Sequence, residues 1–181
     1  MIHKSEHERG LSMTSELYIE AGKIANTHGI GGDVVADSYC DAPEVLKSLS
    51  ALYIKSGGEY QKLGIKKSSL FKGRVLFHFE GYDSIEAAIP LKNRILYAER
   101  SEFCLDEGEY FIVDLIGLSV FDVDSGECYG KVTDVLNYGA SDIYEIEKPD
   151  KKKAYVPVVP EFVKKVDLES GIYLSVIEGL I

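Results

Sequence analysis

YFIVDLIGLSVFDVDSGECYGKVTDVLNYGASDIYEI, residues 110–146, contains two apolar runs, 115–121 and 132–136, separated by DVDSGECYG. Asp, Ser and Gly favour turns, because Asp and Ser side chains bond to the nearby backbone and Gly tolerates positive φ. This pattern predicts a β-hairpin. A second turn signal, residues 137–142, precedes the β-rich run 143–146, so we expect three antiparallel strands with short connections.

The composition is that of an ordinary globular protein, with 181 residues of which 45% are hydrophobic and 28% charged. Turn signals recur along the whole length, which favours two small β domains. No apolar run approaches the roughly 20 residues of a membrane-spanning helix, so we expect no membrane association. The first ten residues, MIHKSEHERG, lack the apolar core of a secretory signal, and we expect residues 1–15 to form a disordered tail.

The three cysteines, Cys40, Cys104 and Cys128, are odd in number and far apart. They form no Cys-x-x-Cys pair, and no His stands at a spacing that would complete a zinc site. We therefore expect free thiols, no metal site and a cytoplasmic location, where thiols stay reduced.

The net charge of −10 is unevenly distributed. After Leu105 the chain carries 16 acidic and 7 basic residues, a net charge of −9, whereas the preceding part is close to neutral. A strongly acidic module repels nucleic acid and attracts basic partners. The second half of the chain is therefore expected to dock against a basic surface.

Residues 44–74 show the opposite bias, with seven basic and two acidic residues. Such a stretch can meet a phosphate backbone, and the alternative is a solvated lysine-rich face. The candidate contacts with RNA are Lys55, Lys62, Lys66, Lys67, Lys72 and Arg74.

The sequence THGIGGD, residues 27–33, follows a strand-like run over 17–26. A phosphate-binding loop needs a helix directly behind its glycines, so that backbone N–H groups face the anion. The β-branched pair Val34 and Val35 follows instead, which favours a tight hairpin turn. His28 is then predicted to be a turn residue, because no carboxylate or second His stands at a metal or triad spacing.

Shorter patterns predict the remaining elements. Pro and apolar spacing indicate one or two helical turns within residues 41–50, and Asp83 or Ser84 can cap a helix over 82–93 that Pro90 limits. Strands are predicted at residues 51–55, 60–67, 73–79, 94–98, 154–159 and 172–177, with a hairpin tip at 149–153 and a helical turn at 161–165.

Two of these strands carry residues with positional meaning. Val75, Phe77 and Phe79 share one face of their strand, which leaves His78 on the other face as a barrel-wall residue. Pro157 interrupts the strand at residues 154–159, which places that strand at an edge or a bulge.

Several strings occur in a recognisable order and spacing: GKIANTHGIGGDVVAD at 22–37, DLIG at 114–117, GKVTDVLNYGASDIYEI at 130–146, VPVVPEFVKKVDLESG at 156–171 and EGL at 178–180. Together they resemble the RimM family of ribosome maturation factors over nearly the whole chain. The resemblance implies an all-β, mainly β fold of two small β-barrel domains with short helices. It implies a six-stranded N-terminal barrel at 16–98, a linker at 99–109 and a PRC-barrel domain at 110–181.

The resemblance also implies a function. It predicts a non-enzymatic factor that binds the small (30S) ribosomal subunit precursor through a head ribosomal protein, the nineteenth of the small-subunit set, and assists 16S rRNA processing and 3′ head-domain assembly. We expect a monomer without cofactor or catalytic residue, since no acid–base pair or nucleophile motif stands out. A stand-alone PRC-barrel docking adaptor is the alternative, although it leaves THGIGGD unexplained. An RNA-processing enzyme would need metal-binding carboxylates that converge on one site.

Chains of this family usually carry two adjacent tyrosines before Asp-Leu-Ile-Gly, whereas this chain has Tyr110 and Phe111. A pair of large rings is typical of an interface hot spot, and with Asp114 and Leu115 it forms the candidate partner-binding site. Adjacent residues of a strand point to opposite faces, so at least one ring should face outward. The alternative is that one ring fills the end of the barrel.

Overall fold

The computed structural model describes residues 17–137, 139, 141–175 and 181. The chain divides into two compact units, an N-terminal unit up to Leu105 and a C-terminal unit from Asp106. Both are built on β-sheets with a few short helices, which confirms the predicted all-β fold class. The predicted tail lies outside the described residues, and the exact domain boundaries given above stay predictions. No helix among the described residues is long and apolar enough to cross a membrane.

The N-terminal unit contains one seven-stranded antiparallel sheet in the order β4-β3-β7-β1-β2-β6-β5. Its strands are β1 (Tyr18–His28), β2 (Asp33–Ser38), β3 (Leu52–Ser56), β4 (Glu59–Leu63), β5 (Ile65–Phe71), β6 (Arg74–Phe79) and β7 (Ile95–Glu99). Strands β4 and β5 lie at opposite edges of the sheet, yet only Gly64 separates them in sequence. The sheet must therefore curl until its edges meet, which makes a barrel in which β4 and β5 act as one bent strand.

Gly64 breaks the strand that the sequence predicts at residues 60–67. Its carbonyl accepts a hydrogen bond from the Glu80 amide at 2.7 Å. A Cβ at this position would lie 2.3 Å from the Glu80 carboxylate. A larger residue at this position would therefore require the exposed Glu80 side chain to move.

Side chains along each strand point alternately to the two faces of this sheet, and the face that carries the apolar residues is buried. Val75, Phe77 and Phe79 are fully buried, as the pattern of β6 predicts, and the two phenylalanine rings stack with centroids 5.4 Å apart. Burial of one such side chain contributes about 1.5–3 kcal/mol. Other members of this core are Ala21, Ile24, Val34, Leu46, Leu52, Leu91 and Leu96.

The helices of this unit are α1 (Pro43–Ser48), α2 (Ile85–Ala88) and a 3-10 turn, Ile89–Leu91. The helix predicted at residues 82–93 is thus much shorter than expected. Ser84 begins it as predicted, because its hydroxyl accepts a hydrogen bond from the Ala87 amide at 3.3 Å. Pro90 has no N–H to donate, and the chain tightens into the 3-10 turn around it.

The THGIGGD segment forms the predicted hairpin, in which residues 29–32 join β1 to β2. His28 is the last residue of β1 rather than a turn residue, and its ring centroid lies 4.7 Å from that of Phe71. Gly32 adopts φ +91°, and a Cβ there would lie 1.8 Å from the Tyr82 carbonyl oxygen. Glycine is therefore required where the hairpin tip meets the segment before α2.

The C-terminal unit contains a six-stranded sheet in the order β11-β10-β9-β8-β13-β12. Its elements are α3 (Ile112–Leu115), β8 (Ser119–Asp122), β9 (Cys128–Asn137), β10 (Asp142–Glu147), β11 (Lys153–Pro157), β12 (Val163–Asp167) and β13 (Gly171–Leu174). Strands β8, β9 and β10 are consecutive and antiparallel, as predicted, and β13 pairs parallel to β8. Strand β11 lies at an edge and ends at Pro157, which agrees with the prediction from that proline.

Two predictions about this unit are wrong in detail. The apolar run 115–121 is not one strand, because Leu115 ends α3 and Gly117, at φ +89°, turns the chain before β8. The helical turn predicted at 161–165 lies earlier, because the Val163 amide donates to the Val159 carbonyl at 2.9 Å, and β12 begins at Val163, which pairs with Leu174 of β13. A short apolar run fits a helix or a strand equally well, and pairing with a neighbouring strand decides between them. The strand predicted at 172–177 extends beyond the described residues.

Candidate functional site

The predicted partner-binding residues lie around α3 and differ in exposure. Tyr110 and Phe111 precede α3 outside any strand, so alternation along a strand does not orient them. Tyr110 is partly exposed, and its hydroxyl donates a hydrogen bond to the Val166 carbonyl at 3.3 Å. Phe111 is 7% exposed and Leu115 is fully buried, whereas Asp114 is partly exposed. The ring without a hydroxyl is thus buried, and Tyr110 and Asp114 reach the surface.

The turn between β8 and β9 concentrates acidic residues. Asp122 accepts hydrogen bonds from the Ser125 amide at 2.7 Å, the Ser125 hydroxyl at 2.8 Å and the Tyr129 hydroxyl at 2.7 Å. These bonds, led by the one from the Ser125 amide, lower the pKa of Asp122 to about 2. The charge of Asp122 therefore stabilises the turn, while Asp124 and Glu127 are exposed at its tip.

Glu145 is a buried acid of β10, with 9% of its surface exposed. Its carboxylate accepts hydrogen bonds from Lys153 at 2.7 Å, from Thr133 at 2.8 Å and from Tyr155 at 3.1 Å. Burial alone would raise the pKa of Glu145, but these three bonds together lower it. This carboxylate is therefore held ionised on the outer face of the sheet, under the side chains of Lys153 and Tyr155, and its charge is offset by Lys153.

Four of the seven lysines after Leu105 are paired with acids of the same unit. Besides Lys153 with Glu145, the ion pairs are Lys151 with Glu147 (2.8 Å), Lys152 with Asp150 (3.1 Å) and Lys165 with Asp167 (2.8 Å). Exposed pairs of this kind add little stability. They do, however, neutralise one another, so the surplus negative charge comes from acids outside these pairs, such as those at the β8–β9 turn.

The six predicted RNA contacts lie on two parts of the N-terminal unit. Two are on β3 and β4, and four are on the β5–β6 hairpin: Lys55 and Lys62, then Lys66, Lys67, Lys72 and Arg74. The Lys66 ammonium lies 2.5 Å from Asp83, and the Arg74 guanidinium lies 2.8 Å from Asp37. These two cations are already paired with carboxylates, which makes them weaker phosphate ligands than the exposed Lys55, Lys62, Lys67 and Lys72.

His78 joins three segments of the N-terminal unit. Its Nδ1 lies 2.7 Å from Asp33 at the start of β2, and its Nε2 lies 3.0 Å from Asp83, which also pairs with Lys66. These bonds, first to Asp83 and then to Asp33, raise the pKa of His78. The two carboxylates contact different ring nitrogens. Among the described residues, no group of three or more His, Cys, Asp or Glu side chains is arranged to hold a metal ion.

Sequence reasoning missed a cluster of four tyrosines on the outer face of the N-terminal sheet: Tyr18, Tyr53, Tyr60 and Tyr97. The rings of Tyr18 and Tyr60 stack with centroids 4.1 Å apart. Tyr53 meets Tyr18 edge-on at 4.8 Å, and Tyr97 meets Tyr60 edge-on at 5.1 Å. Tyr53 is the most buried of the four, and its hydrogen bond to Glu99 at 2.6 Å, together with burial, raises its pKa to about 12.

The sequence did contain a signal for this cluster. Tyr53 stands two residues before Lys55, and Tyr60 stands two residues before Lys62, on two neighbouring predicted strands. A spacing of two places each pair on one face of its strand. A charge count identifies the lysines but not the rings beside them. The tyrosines do not stand out in the sequence, because 12 of them are spread along the chain.

The chain is thus a mainly β protein of two compact units, one with a cation beside an aromatic ring and the other with surplus acids. Comparison with protein families identifies both units. The RimM N-terminal domain matches residues 19–103, and the RimM PRC barrel domain matches residues 112–179. The chain belongs to the RimM family, which confirms the resemblance seen in the sequence.

Relatives match over most of the chain. The ribosome maturation factor RimM of Ruminiclostridium cellulolyticum is 35% identical over 155 residues, which cover 85% of this chain and 91% of that one. That of Bacillus pumilus is 38% identical and covers 91% of this chain and 97% of its own length. The solution structure of the N-terminal domain of RimM from Thermus thermophilus is 18% identical, with a TM-score of 0.40, over 49% of this chain and 95% of that one. The family membership and the two relatives at 35% and 38% identity place the role of the chain in ribosome maturation.

Proposed function

We propose that the chain is a non-enzymatic, cytoplasmic and monomeric factor that binds the 30S precursor through the nineteenth protein of the small subunit. It assists 16S rRNA processing and assembly of the 3′ head domain. The observation that carries this proposal is the family match over both units, in order. A stand-alone PRC-barrel adaptor would account for the C-terminal unit alone and leave residues 19–103 without a role.

The charges of the C-terminal unit support a basic protein as its partner. Its net charge is −9, and lysines that could offset this charge locally are tied to their own acids. Asp124 and Glu127 are exposed at the tip of the β8–β9 turn. Complementary fields speed association with a basic protein and disfavour nucleic acid. Partner binding by this unit should therefore weaken as salt rises.

Tyr110 and Asp114 supply a second part of the proposed partner surface. The Tyr110 hydroxyl is held by Val166, which fixes the ring while leaving it partly exposed. A preordered, amphipathic ring is a frequent hot-spot residue because binding it costs little side-chain entropy. The buried Phe111 and Leu115 then act indirectly, by packing the segment that presents Tyr110.

The N-terminal unit is proposed to contact rRNA. Of the six predicted basic residues, Lys66 and Arg74 are paired with Asp83 and Asp37 and are the weaker candidates. The exposed Lys55, Lys62, Lys67 and Lys72 keep their charge for phosphates.

Sedimentation tests the proposal directly. The purified chain is mixed with 30S precursors or mature 30S subunits and pelleted through a sucrose cushion, and we expect it in the pellet with precursors. Titration against the purified nineteenth small-subunit protein should show binding that weakens with salt, whereas a basic ribosomal protein from outside the head serves as the matched control. No binding at low salt, or equal binding to both proteins, would overturn the proposed partner. Precursor 16S rRNA incubated with the chain alone should remain uncut.

A further inference from the structure

A cleft of about 220 Å³ opens on the N-terminal unit beside β3 and β7. It is lined by Lys55 of β3 and by Asn93, Arg94, Ile95 and Tyr97 from the turn before β7 and from β7 itself. Drug-sized ligands fill pockets of ~300–1,000 Å³, so this cleft suits one polar group rather than a whole small molecule. Two of the five lining residues are cations, and none of the five is an acid. The cleft is therefore suited to an anionic group.

The turn before β7 is fixed by backbone hydrogen bonds to β1. The backbone N–H of Asn93 donates to the Ile24 carbonyl at 2.8 Å, and the Ile24 N–H donates to the Arg94 carbonyl at 2.9 Å. Asn93 adopts φ +64°, a conformation in which Asn is more frequent than most residues. The turn thus holds the side chains of Asn93 and Arg94 at the cleft.

The Arg94 side chain is held across the cleft from β7 to β3. Its guanidinium donates one hydrogen bond to the Lys55 carbonyl. Within the described ranges this side chain makes no other hydrogen bond or ion pair. A guanidinium has five N–H donors, so most of them are available to a ligand.

The two cations of the cleft keep their charge. Among the described residues, neither Lys55 nor Arg94 forms an ion pair with an acid, whereas Lys66 and Arg74 on the β5–β6 hairpin do. The Lys55 ammonium lies 5.5 Å from the centre of the Tyr60 ring, and a ring does not neutralise it. The cleft therefore differs from the β5–β6 hairpin, where neighbouring acids already occupy two of the cations.

A third cation stands on the same side of the sheet. Lys23 of β1 is opposite Ile95 of the cleft, and paired residues project from the same side of a sheet. Asp37 is opposite Lys23 on β2, but its carboxylate is paired with Arg74 at 2.8 Å. Lys23 therefore adds to the positive field at the Ile95 end of the cleft.

The other acids on this side of the sheet lie towards the far end of β7. Glu20 is opposite Tyr97, about 7 Å along the strand from Ile95, and Glu99 follows at roughly 13 Å. The Glu99 carboxylate accepts a hydrogen bond from the Tyr53 hydroxyl at 2.6 Å. The positive charge of the cleft is thus concentrated at its Ile95 end, away from these acids.

We propose that this cleft binds one phosphate group of an RNA backbone, held between the Lys55 ammonium and the Arg94 guanidinium beside the Asn93 side-chain amide. A guanidinium presents parallel N–H donors that match phosphate oxygens, and an ammonium adds a compact charge. Each such contact releases counterions from the RNA and makes binding depend on salt. The inference deepens the proposed rRNA contact, to which it adds Asn93 and Arg94, and it rests on that contact for the source of the phosphate.

Fluorescence anisotropy of the full chain with a 3′-labelled single-stranded RNA tests the inference. Lys55→Gln and Arg94→Gln should each weaken binding about tenfold, because each removes a charged hydrogen-bond donor. Each should also reduce the slope of log affinity against log salt by about 0.7. Lys47→Gln is the matched control, since it removes one exposed cation of the same unit, on α1 and outside the cleft, and should have little effect. Melting curves verify that each variant is folded.

Two further variants test whether Lys55 and Arg94 hold the same phosphate. The double variant Lys55→Gln with Arg94→Gln should lose much less affinity than the product of the two single losses, because the two residues share one ligand. Arg94→Lys keeps the charge without the planar set of donors, so it should retain the salt slope of the parent and bind with intermediate affinity. Independent losses in the double variant would contradict a shared phosphate.

The source of the anion is tested with three ligands. RNA with a 5′ hydroxyl and RNA with a 5′ phosphate should bind equally, since the proposed ligand lies within the backbone; binding only of the 5′-phosphorylated RNA would overturn this assignment. A poly-glutamate peptide that binds as tightly as RNA, and loses as much affinity in Arg94→Gln, would show that the cleft recognises carboxylates. Affinity and salt slope of Lys55→Gln equal to those of Lys47→Gln would also overturn the inference.

Sedimentation with 30S precursors keeps this inference distinct from the proposed function. If the parent pellets with precursors while RNA binding does not depend on Lys55 and Arg94, the inference fails and the function stands. If the parent does not pellet with precursors but binds RNA through these two residues, the proposed function fails and the phosphate site stands.

Discussion

The two units have sheets of similar size, seven and six strands, yet they use their charges in different ways. In the N-terminal unit, the Lys55 ammonium lies 5.5 Å from the centre of the Tyr60 ring, so a cation is presented beside an aromatic surface. In the C-terminal unit, the Lys153 side chain is exposed, but its charge is paired with the buried Glu145 at 2.7 Å. A count of charges therefore does not identify a binding surface. A binding surface is better identified by asking whether each charge is already paired within its own unit.

The largest effect is expected for the buried ring before α3. Phe111→Ala should lower the free energy of unfolding of the C-terminal unit by about 3–5 kcal/mol, because it removes a core ring and leaves a cavity. Urea unfolding followed by circular dichroism measures this loss. Binding of the basic partner, corrected for the folded fraction, should be nearly unchanged.

Tyr110→Ala is the matched variant, and it should behave in the opposite way. It should cost less than about 1.5 kcal/mol of stability, since the ring is partly exposed and loses one hydrogen bond, and about 2 kcal/mol of partner affinity. Tyr110→Phe then separates the hydroxyl from the ring. A folded Phe111→Ala protein with poor binding, or a Tyr110→Ala protein that binds normally, would contradict this division of roles.

The next effect concerns the hairpin tip of the N-terminal unit. Gly32→Ala should destabilise that unit by well over about 1 kcal/mol, because the new Cβ meets the Tyr82 carbonyl oxygen and the backbone has a positive φ. Gly31→Ala is the adjacent control in sequence, since a Cβ at Gly31 meets nothing within 4 Å. Thermal melts of the two variants should differ clearly. Equal melting temperatures would show that the tip is not locked against the segment before α2.

Turn chemistry explains how much of the fold was predictable from the sequence. The Gly and Asp residues at 29–33 and 122–126 specify hairpins locally, and both hairpins are present. The run 115–121 was misassigned because its apolar residues suit a helix or a strand, and only contacts with β9 and the core decide. The helical turn expected at 161–165 ends at Val163, because pairing of β12 with β13 begins there.

The candidate sites were less predictable because exposure and pairing depend on contacts far apart in sequence. The sequence shows that Lys66 is basic but not that Asp83, from another segment, lies 2.5 Å away. It shows that Tyr110 and Phe111 are adjacent but not that Phe111 is buried. Tyr18 and Tyr60 are 42 positions apart in the printed sequence, and the strand order β4-β3-β7-β1 brings them together.

A smaller effect is expected at the acidic turn of the C-terminal unit. Replacing Asp124 and Glu127 with Asn and Gln should weaken binding of the basic partner several-fold at low salt and reduce its salt dependence, because rim charges act chiefly on association. Glu147→Gln is the control, since Glu147 is paired with Lys151. Stopped-flow association rates at two salt concentrations measure the difference. A larger loss for the control would show that pairing does not decide which charges face the partner.

The smallest expected effect is a pH dependence of stability. It should appear for the pairs of His78 in the N-terminal unit and not for the pair of Lys165 and Asp167 in the C-terminal unit. Hydrogen bonds to Asp83 and Asp33 raise the pKa of His78 above its ordinary value of 6.5. A raised pKa in the folded state contributes stability that is fully present below pH 6.5 and is lost as the pH rises through the folded value. The stability difference between the parent and His78→Gln should therefore shrink from about pH 6 to about pH 8.5.

Lys165→Gln, in the C-terminal unit, provides the contrast. Its partner Asp167 raises the pKa of Lys165 and is itself held at a lowered pKa, first by Lys165, so neither group titrates between about pH 6 and about pH 8.5. The difference between the parent and Lys165→Gln should then be constant over this range. Because Asp83, one of the two partners of His78, is 64% exposed, solvent screens this pair and the change should be modest. Urea unfolding of the parent and both variants at several pH values measures these differences in stability. If the stability difference between the parent and His78→Gln stays constant or grows with pH, protonated His78 does not hold the three segments together.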